Sequence, residues 1–396
     1  MSFWYFVFWI GLAILFYSYI GYGIVLYIVL RIKRLLFGRP RTSEHAFLPD
    51  VTLLIAAYNE EDFIAEKIHN SLALEYPEHK LQIVIVTDGS TDNTNNIIRQ
   101  YPRVQLLHDP QRNGKAAAVN RAMQYINTPF VVCCDANTVL NREAVYHLVQ
   151  HFANDNVGAV AGEKKVIAAD TEGQGEGMYW KYESLLKKWD AELYSVMGAA
   201  GELFAIRTSL YEPISPDTIL DDFMISFHIN MKGKKVMYEP KAYAMESSSA
   251  SLTEEHKRKV RISAGGFQSI LRLLPLLNFF RYPRITWQYV SHRVLRWTLA
   301  PLSLPLTLIA NILLVIGRAG YIYDILLVLQ AGFYAAAFAG YTLAKRQVKN
   351  KYLYIAFYFL FMNMAVFQGF ARFIRKRQSG VWERSQRSQM VLEQGQ

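Results

Sequence analysis

Cysteine is almost absent from this sequence, whose 396 residues include only Cys133 and Cys134. The two are adjacent and lie in an apolar run, which excludes a disulfide framework and a cysteine-rich metal site. We interpret both as core residues of a domain in a reducing compartment.

Charge is absent from four long apolar stretches, which run from Phe3 to Leu30, Thr298 to Gly317, Ile325 to Leu343 and Tyr352 to Ala371. A helix needs ~20 apolar residues to cross a bilayer, and these stretches are about that long or longer. One of them could be a buried core helix, but four around a polar middle predict an integral protein of an inner or plasma membrane. The first stretch also lacks the basic start and cleavage site of a signal peptide.

Basic residues flank the apolar stretches. They are Arg31, Lys33, Arg34, Arg39, Arg41, Arg281, Arg284, Arg293, Arg296, Lys345, Arg346, Lys349 and Lys351. Under the positive-inside rule they predict that residues 46–290 are cytosolic. Much of the net charge of +10 is then juxtamembrane, and no nucleic-acid partner is predicted. The same rule predicts that residues 352–371 are re-entrant or partly interfacial, so that the basic tail (373–396) stays cytosolic.

Short apolar runs alternate with helical stretches in the middle of the chain. The runs are VTLLIAA (51–57), LQIVIVT (81–87), VQLLH (104–108) and PFVVCC (129–134). This alternation predicts an α/β fold with a mostly parallel sheet between helices, and ligands bind such sheets outside the carboxyl ends of the strands.

Polar clusters follow these runs, and they read AYNEED, TDGSTDNT, DPQRNGK and DANT. Each cluster alone could be an ordinary turn, because turns favour Asp, Asn, Gly and Ser. Together at one sheet edge they predict a nucleotide-diphosphate site. The site is not a P-loop, because Ala116 follows Lys115 where that motif needs Ser or Thr.

Asp135 and Asn137 stand two residues apart at the end of the fourth run, so their side chains point to the same side of an extended segment. The pattern is close to Asp-x-Asp, which binds a divalent cation, although here an amide replaces the second carboxylate. An amide oxygen can still be a ligand of Mg²⁺ or Mn²⁺. We expect weak cation affinity in the absence of nucleotide.

Six motifs occur in order along the chain: IAAYNEE, VTDGSTDNT, RNGKAAAVNRA, CCDANT, GAAGELFAIR and ILDDFMIS. The series resembles the membrane-bound branch of glycosyltransferase family 2, which includes cellulose, hyaluronan, chitin-oligosaccharide and poly-N-acetylglucosamine synthases. The resemblance implies a GT-A nucleotide-sugar-binding domain, a nucleotide-sugar donor such as a UDP-sugar, a divalent cation (Mg²⁺ or Mn²⁺) and an inverting transfer.

The resemblance also implies roles for single residues. The residues implied to contact the donor are Ala57, Tyr58, Glu60, Asp88 and Lys115. The cation would bind Asp135 and Asn137. The acceptor side would include Gly198, Gly201 and Glu202.

Asp222 is implied to be the catalytic base, with Asp221 shaping its surroundings. An alternative is that the two acids only complement the dipole at a helix N-terminus.

Arg258 and Arg261 would clamp the donor diphosphate, but Ile262 stands where polymerising members of the family carry Trp. This departure leaves processive polymerisation open, and a merely interfacial basic segment is the alternative.

We predict five segments: an N-terminal membrane helix (1–37), a cytosolic GT-A domain (46–250), interfacial amphipathic helices (251–293, with one helix over 265–280), C-terminal membrane helices (294–372) and the tail (373–396).

The leading function is transfer of sugar to a growing polysaccharide, which the membrane helices could also export. Transfer of one sugar to a lipid-linked acceptor is the alternative. A non-enzymatic membrane subunit or transporter is disfavoured, because the apolar stretches lack charged residues.

Overall fold

A computed structural model describes residues 1–38, 46–167, 173–247, 251–346, 348, 350–376 and 380, with the backbone alone for residues 167 and 173–179. The chain divides into two compact units. The first unit comprises Met1–Ile32, Asp170–Leu186 and Glu255–Arg377, and the second comprises Lys33–Ala169, Lys187–Glu254 and Gln378–Gln396.

The second unit contains an eight-stranded sheet with the strand order β3-β2-β1-β4-β7-β6-β8-β5. Its strands are β1 (Val51–Ala57), β2 (Leu81–Asp88), β3 (Val104–Asp109), β4 (Phe130–Asp135), β5 (Val139–Leu140), β6 (Val157–Ile167), β7 (Leu203–Arg207) and β8 (Lys235–Ser247). Strands β1 to β4 are parallel, as the alternating sequence pattern predicts. The other half is mixed, because β7 runs antiparallel to both β4 and β6, whereas β6 and β8 are parallel.

The described part of the chain also contains α-helices of very different lengths. They are α1 (Ser2–Phe16), α2 (Tyr22–Phe37), α3 (Ile64–Leu72), α4 (Thr94–Ile98), α5 (Lys115–Met123), α6 (Ala144–Gln150), α7 (Gly173–Leu193), α8 (Asp221–Met231), α9 (Leu252–Arg272), α10 (Pro283–Tyr289), α11 (Leu295–Trp297), α12 (Leu299–Ile316), α13 (Tyr321–Lys345) and α14 (Lys351–Ile374). A π-helical turn joins α1 to α2.

The core of the sheet confirms the prediction from apolar runs. All seven residues of β1 are buried, and so are most residues of β2 and β4. Strands covered on both faces need such continuous apolar runs. Cys133 and Cys134 are buried free thiols within β4, as expected.

Four helical segments among the described residues are long and apolar enough to cross a membrane: Ser2–Phe37, Leu299–Ile316, Tyr321–Lys345 and Lys351–Ile374. They confirm the four predicted apolar helices and indicate membrane association. The last forms one unbroken helix of 24 residues, which does not support a re-entrant segment, whereas an interfacial position stays a prediction. Most of the predicted tail lies outside the described residues.

The predicted amphipathic helix over 265–280 is displaced toward the N-terminus, because its first half belongs to α9, which already begins at Leu252. Helix α9 ends at Arg272, and a short 3₁₀ turn follows at Leu274–Leu277. Pro275 explains the early end, because its ring is incompatible with the α conformation of the preceding residue and with a continuing helix.

Candidate active site

The candidate site lies in the second unit, where the parallel strands end. Ala56 of β1 pairs with Asp135 of β4, and Asp88 of β2 pairs with Asp109 of β3. The carboxyl ends of these strands therefore meet at one edge of the sheet, and the four polar clusters of the sequence follow them there.

The loops after β1 and β2 bind each other. Asn59 has a positive φ of 51°, and its side chain accepts a hydrogen bond from the backbone N–H of Thr91 (2.8 Å). The backbone N–H of Glu60 donates to Thr94 Oγ1 (2.9 Å). Tyr58, which follows the buried end of β1 at Ala57, lies beneath the Arg112 guanidinium at 3.7 Å from the ring centroid. The predicted donor residues of this loop therefore have fixed positions.

Asp88 is buried and has a local role in the turn before α5. Its two carboxylate oxygens accept the backbone N–H groups of Asn113 (3.0 Å) and Gly114 (2.7 Å). Gly114 has a φ of +94°, which favours glycine, and it precedes the first residue of α5. Asp88 thus shapes the turn that presents Lys115, and its predicted contact with a base or ribose stays a prediction.

Lys115 connects the predicted cation ligand with the predicted catalytic pair. Its Nζ lies 2.7 Å from Asp135 Oδ1 and 3.5 Å from Asp221 Oδ2. Burial alone would lower the pKa of Lys115, but the carboxylates of Asp135, Asp221 and Asp222 outweigh it and raise the pKa well above its ordinary value. Lys115 is therefore a fixed positive charge shared between the two predicted sites.

Asp221 and Asp222 begin α8, so they diverge from one another at a helix start. Burial and the neighbouring charge of Asp221 raise the pKa of Asp222 to about 7, although Lys115 opposes the shift. A carboxylate with a pKa near the working pH is suited to accept a proton in catalysis.

The predicted acceptor residues lie on the turn before β7. A Cβ on Gly201 would lie 3.4 Å from Lys115 Nζ and 3.6 Å from Asp222 Cγ, so this turn passes directly beside the charged cluster. The backbone N–H of Ala199 donates to Ser226 Oγ (3.0 Å), which in turn donates to the Asp222 carbonyl (2.7 Å). The turn and the start of α8 therefore hold each other in place.

Replacing Gly198 by alanine is expected to lower the free energy of unfolding by about 1–3 kcal/mol, because its φ of +94° strains any other residue. The new Cβ would also lie 2.4 Å from the ring of Phe223. Gly201→Ala is the matched control, since its Cβ makes only ordinary contacts. Chemical denaturation of both variants would test this, and equal stabilities would contradict it.

Lys67 is a charged residue of this region that the sequence patterns did not single out. It is fully buried on α3, and its Nζ donates to the Thr138 carbonyl (2.8 Å) and contacts Thr138 Oγ1 (3.3 Å). Thr138 Oγ1 in turn donates to the Asp135 carbonyl (2.9 Å). Lys67 thus supports the turn that carries Asp135 and Asn137. The one available signal was a lysine on the apolar face of α3.

Arg258 and Arg261 lie on α9, on the part of that helix that belongs to the first unit. Arg258 Nη2 is 3.3 Å from Glu255 Oε2, one helical turn away. The proposed diphosphate clamp stays a prediction.

The described residues contain no group of three or more His, Cys, Asp or Glu side chains arranged to hold a metal ion. By themselves, Asp135 and Asn137 supply only two ligand groups, one carboxylate and one amide oxygen. However, Asp135, Asp221 and Asp222 are three carboxylates around the single ammonium of Lys115. This surplus of negative charge and the oxygen ligands suit a hard divalent cation that takes its remaining ligands from water or phosphate.

A comparison with protein families identifies the domain to which this site belongs. Residues 52–214 match the family model described as glycosyl transferase family 2. This chain contains a family 2 glycosyltransferase domain. The matched range includes Lys115, Asp135 and Gly201 and ends shortly before Asp221.

Relatives with the family 2 domain support the resemblance seen in the motifs. The poly-beta-1,6-N-acetyl-D-glucosamine synthase of Staphylococcus aureus is 29% identical over 264 residues, which cover 61% of this chain and 63% of that protein. The enzyme of the same name from Staphylococcus epidermidis is 26% identical over 269 residues, covering 63% and 65%. The chain thus spans less than two thirds of these relatives.

A solved structure confirms the predicted fold. A mannosyltransferase from Pyrobaculum calidifontis, in complex with GDP-Man and Mn²⁺, superimposes with a TM-score of 0.71 at 21% identity, covering 94% of this chain and 99% of that one. The family 2 domain therefore has the GT-A fold. At this identity the likeness concerns the fold alone.

Proposed function

We propose that this protein is an inverting membrane glycosyltransferase. It moves a sugar from a nucleotide-sugar donor to a growing extracellular or envelope polysaccharide, and UDP-sugars are the leading donor candidates. The observation that carries the proposal is the cluster of Asp135, Lys115, Asp221 and Asp222 at the carboxyl edge of a GT-A sheet. The polysaccharide synthases among the relatives support the product class.

Asp135 and Asn137 would hold a divalent cation together with the donor diphosphate, and the ion would neutralise charge on the departing group. The Mn²⁺ in the mannosyltransferase complex supports a divalent ion in general. Lys115 would donate a hydrogen bond to a diphosphate oxygen. Tyr58 and the loop around Glu60 would line the nucleotide.

Asp222 would accept the proton of an acceptor hydroxyl while that oxygen attacks the anomeric carbon of the donor. The bond from this carbon to the diphosphate oxygen breaks, and its electron pair leaves with the nucleoside diphosphate. A single displacement of this kind inverts the anomeric configuration. Asp221 and Lys115 would set the charge around the base.

Transfer of a single sugar to a lipid-linked acceptor is the second candidate. The specific observation in its favour is Ile262, which stands where the polymerising members of the family carry Trp. Both candidates place the domain on the cytosolic side of the membrane, as the basic flanks predict.

The function can be tested with purified protein in detergent, a panel of UDP- and GDP-sugars, and Mg²⁺ or Mn²⁺. We expect release of UDP, and mass spectrometry of the products would separate a polymer from a single glycolipid. Omission of the divalent ion is the matched control. No turnover or binding of any nucleotide sugar, with any metal or acceptor, would refute the proposal.

Activity is expected to rise with pH and to level off above about pH 7, because the base must be ionised and the pKa of Asp222 is raised to about 7. Burial is the largest cause of the shift, and the charge of Asp221 is the next. Asp221→Asn should therefore lower the pKa of Asp222 and move the rising limb of the plot of kcat/KM against pH to lower pH. A limb that stays in place in this variant would contradict the assignment.

A further inference from the structure

The segment that leads into α8 has no regular secondary structure of its own. All ten of its residues (211–220) are described, and none belongs to a helix or a strand. We call this segment the strap. Pro213 and Pro216 restrict its backbone and make it stiff, and its end continues into Asp221 and Asp222. The point at which the strap is anchored therefore determines where these two acids lie.

Asn120 of α5 anchors the strap. Its Oδ1 accepts hydrogen bonds from the Ile214 backbone N–H (3.0 Å) and from the Tyr211 hydroxyl (2.6 Å), and its Nδ2 donates to the Ile214 carbonyl (2.7 Å). One side-chain amide thus binds both backbone groups of one residue, as a neighbouring strand would. Ile214 is only 3% exposed, so its backbone groups need partners within the protein.

Helix α5 gives this anchor a fixed base, because α5 is attached to the sheet by other contacts. Arg121 donates to Asp109 Oδ2 (2.7 Å) on β3 and to a carbonyl at the end of β2 (2.8 Å). Asp88 holds the turn before α5 by two further hydrogen bonds. The position of Lys115 therefore does not depend on Asn120, whose hydrogen bonds act on the strap.

Helix α5 also meets the catalytic acids, at its first residue. The Nζ of Lys115 lies 3.5 Å from Asp221 Oδ2. Tyr211 of the strap is close to the same acid, since burial raises the pKa of Tyr211 and the nearby charge of Asp221 adds to the rise. Tyr211 therefore remains a neutral hydroxyl that donates to Asn120. Asn120 and Lys115 thus connect one helix to the strap and to the acids that follow it.

We propose that Asn120 is a positioning residue for the glycosyl transfer: it fixes the strap to α5 and so sets the position of Asp222 relative to Lys115. Asp222 must reach the acceptor hydroxyl while Lys115 holds the diphosphate, and a displacement of about 1 Å can cost about 10²-fold in rate. The role of Asn120 requires no contact with donor or acceptor. The inference rests on the proposed function and extends it to a residue for which the motif resemblance implies no role.

Replacing Asn120 by alanine should lower kcat about 10²-fold and leave the affinity for UDP unchanged, because Lys115 and Asp135 keep their places. The rate of UDP release, with the donor and acceptor that the wild type uses best in the panel above, would measure kcat. Calorimetry would measure the affinity for UDP.

Gln150→Ala is the matched control. The Gln150 amide also binds both backbone groups of one residue, Phe47 (2.9 Å each). Phe47 precedes β1, at the amino ends of the parallel strands, whereas the candidate site lies at their carboxyl ends. This variant loses the same kind of anchor and should keep the wild-type kcat.

The Asp222→Asn background separates positioning from general damage to the fold. If Asn120 acts through Asp222, Asn120→Ala should change the residual turnover of Asp222→Asn by less than about 2-fold. Damage elsewhere in the fold would instead lower turnover by the same factor in both backgrounds.

Tyr211→Phe is a milder variant, and thermal unfolding would show which variants are folded. It removes one hydrogen bond to Asn120 and keeps the two from Ile214, so it should lower kcat about 3-fold. This loss should also vanish in the Asp222→Asn background. Tyr211→Phe carries the test if Asn120→Ala does not fold.

An unchanged kcat in folded Asn120→Ala, or the same loss of kcat in both backgrounds, would overturn the inference while the wild type remains active. A loss confined to the affinity for UDP would overturn it as well, because the effect would then lie on the donor side. Absence of turnover by the wild type with every nucleotide sugar would instead refute the proposed function, and this inference with it.

Discussion

Asp222→Asn is expected to lower turnover by about 10²–10⁴-fold, because it removes the proton acceptor and keeps the size of the side chain. Donor binding should be nearly intact, since Asp135 and Lys115 remain in contact. The rate of UDP release and the affinity for UDP, measured by calorimetry, would check the two parts separately.

Asp155→Asn is the matched control for this prediction. Asp155 belongs to the same unit, and its side chain is 98% exposed. It should retain wild-type turnover. If Asp222→Asn kept its activity as well, the acids at the start of α8 would serve only the helix dipole.

Asp135→Asn is expected to lower metal-dependent donor affinity by at least about 10²-fold, because it removes the one full charge of the Asp-Ala-Asn turn. Asn137→Asp should have the opposite effect on cation affinity and should tighten Mn²⁺ binding in the absence of donor. Electron paramagnetic resonance titrations, which follow the loss of the free Mn²⁺ signal, would measure the Mn²⁺ affinity of both variants and of the wild type. For the wild type we expect weak binding.

The Asn137→Asp variant also serves as the control for folding at this turn. It keeps the shape of the turn and adds a charge, whereas Asp135→Asn keeps the shape and removes one. Unchanged Mn²⁺ dependence in Asp135→Asn would mean that β4 ends in an ordinary polar turn. The cation would then need ligands other than Asp135.

The parallel half of the sheet and the apolar helices could be predicted from the sequence, because both depend on local runs. VTLLIAA coincides with β1, and the other three runs match β2, β3 and β4 to within one residue. The mixed half was not predicted. Strands β6 and β8 carry charged side chains such as Lys164 and Glu246 on buried positions, so neither reads as an apolar run.

The site was predicted as a set of residues, but its internal contacts were not. Lys115 was expected to contact the donor and Asp135 to bind the cation, without a contact between the two, and the structure brings them to 2.7 Å from each other. Lys67 and Thr138 are 71 residues apart in the chain. No local pattern reports such pairings, because they depend on how distant segments pack.

The ion pair between Lys115 and Asp135 has a consequence for the order in which substrates bind. With the ammonium in contact, Asp135 has little free charge to offer a solitary cation from solution, and so the resting protein should not accumulate one. An arriving diphosphate gives Lys115 a new partner and releases the carboxylate for the ion that travels with the donor. Nucleotide sugar and cation should therefore bind together and before the acceptor, which product-inhibition kinetics would reveal as an ordered sequence.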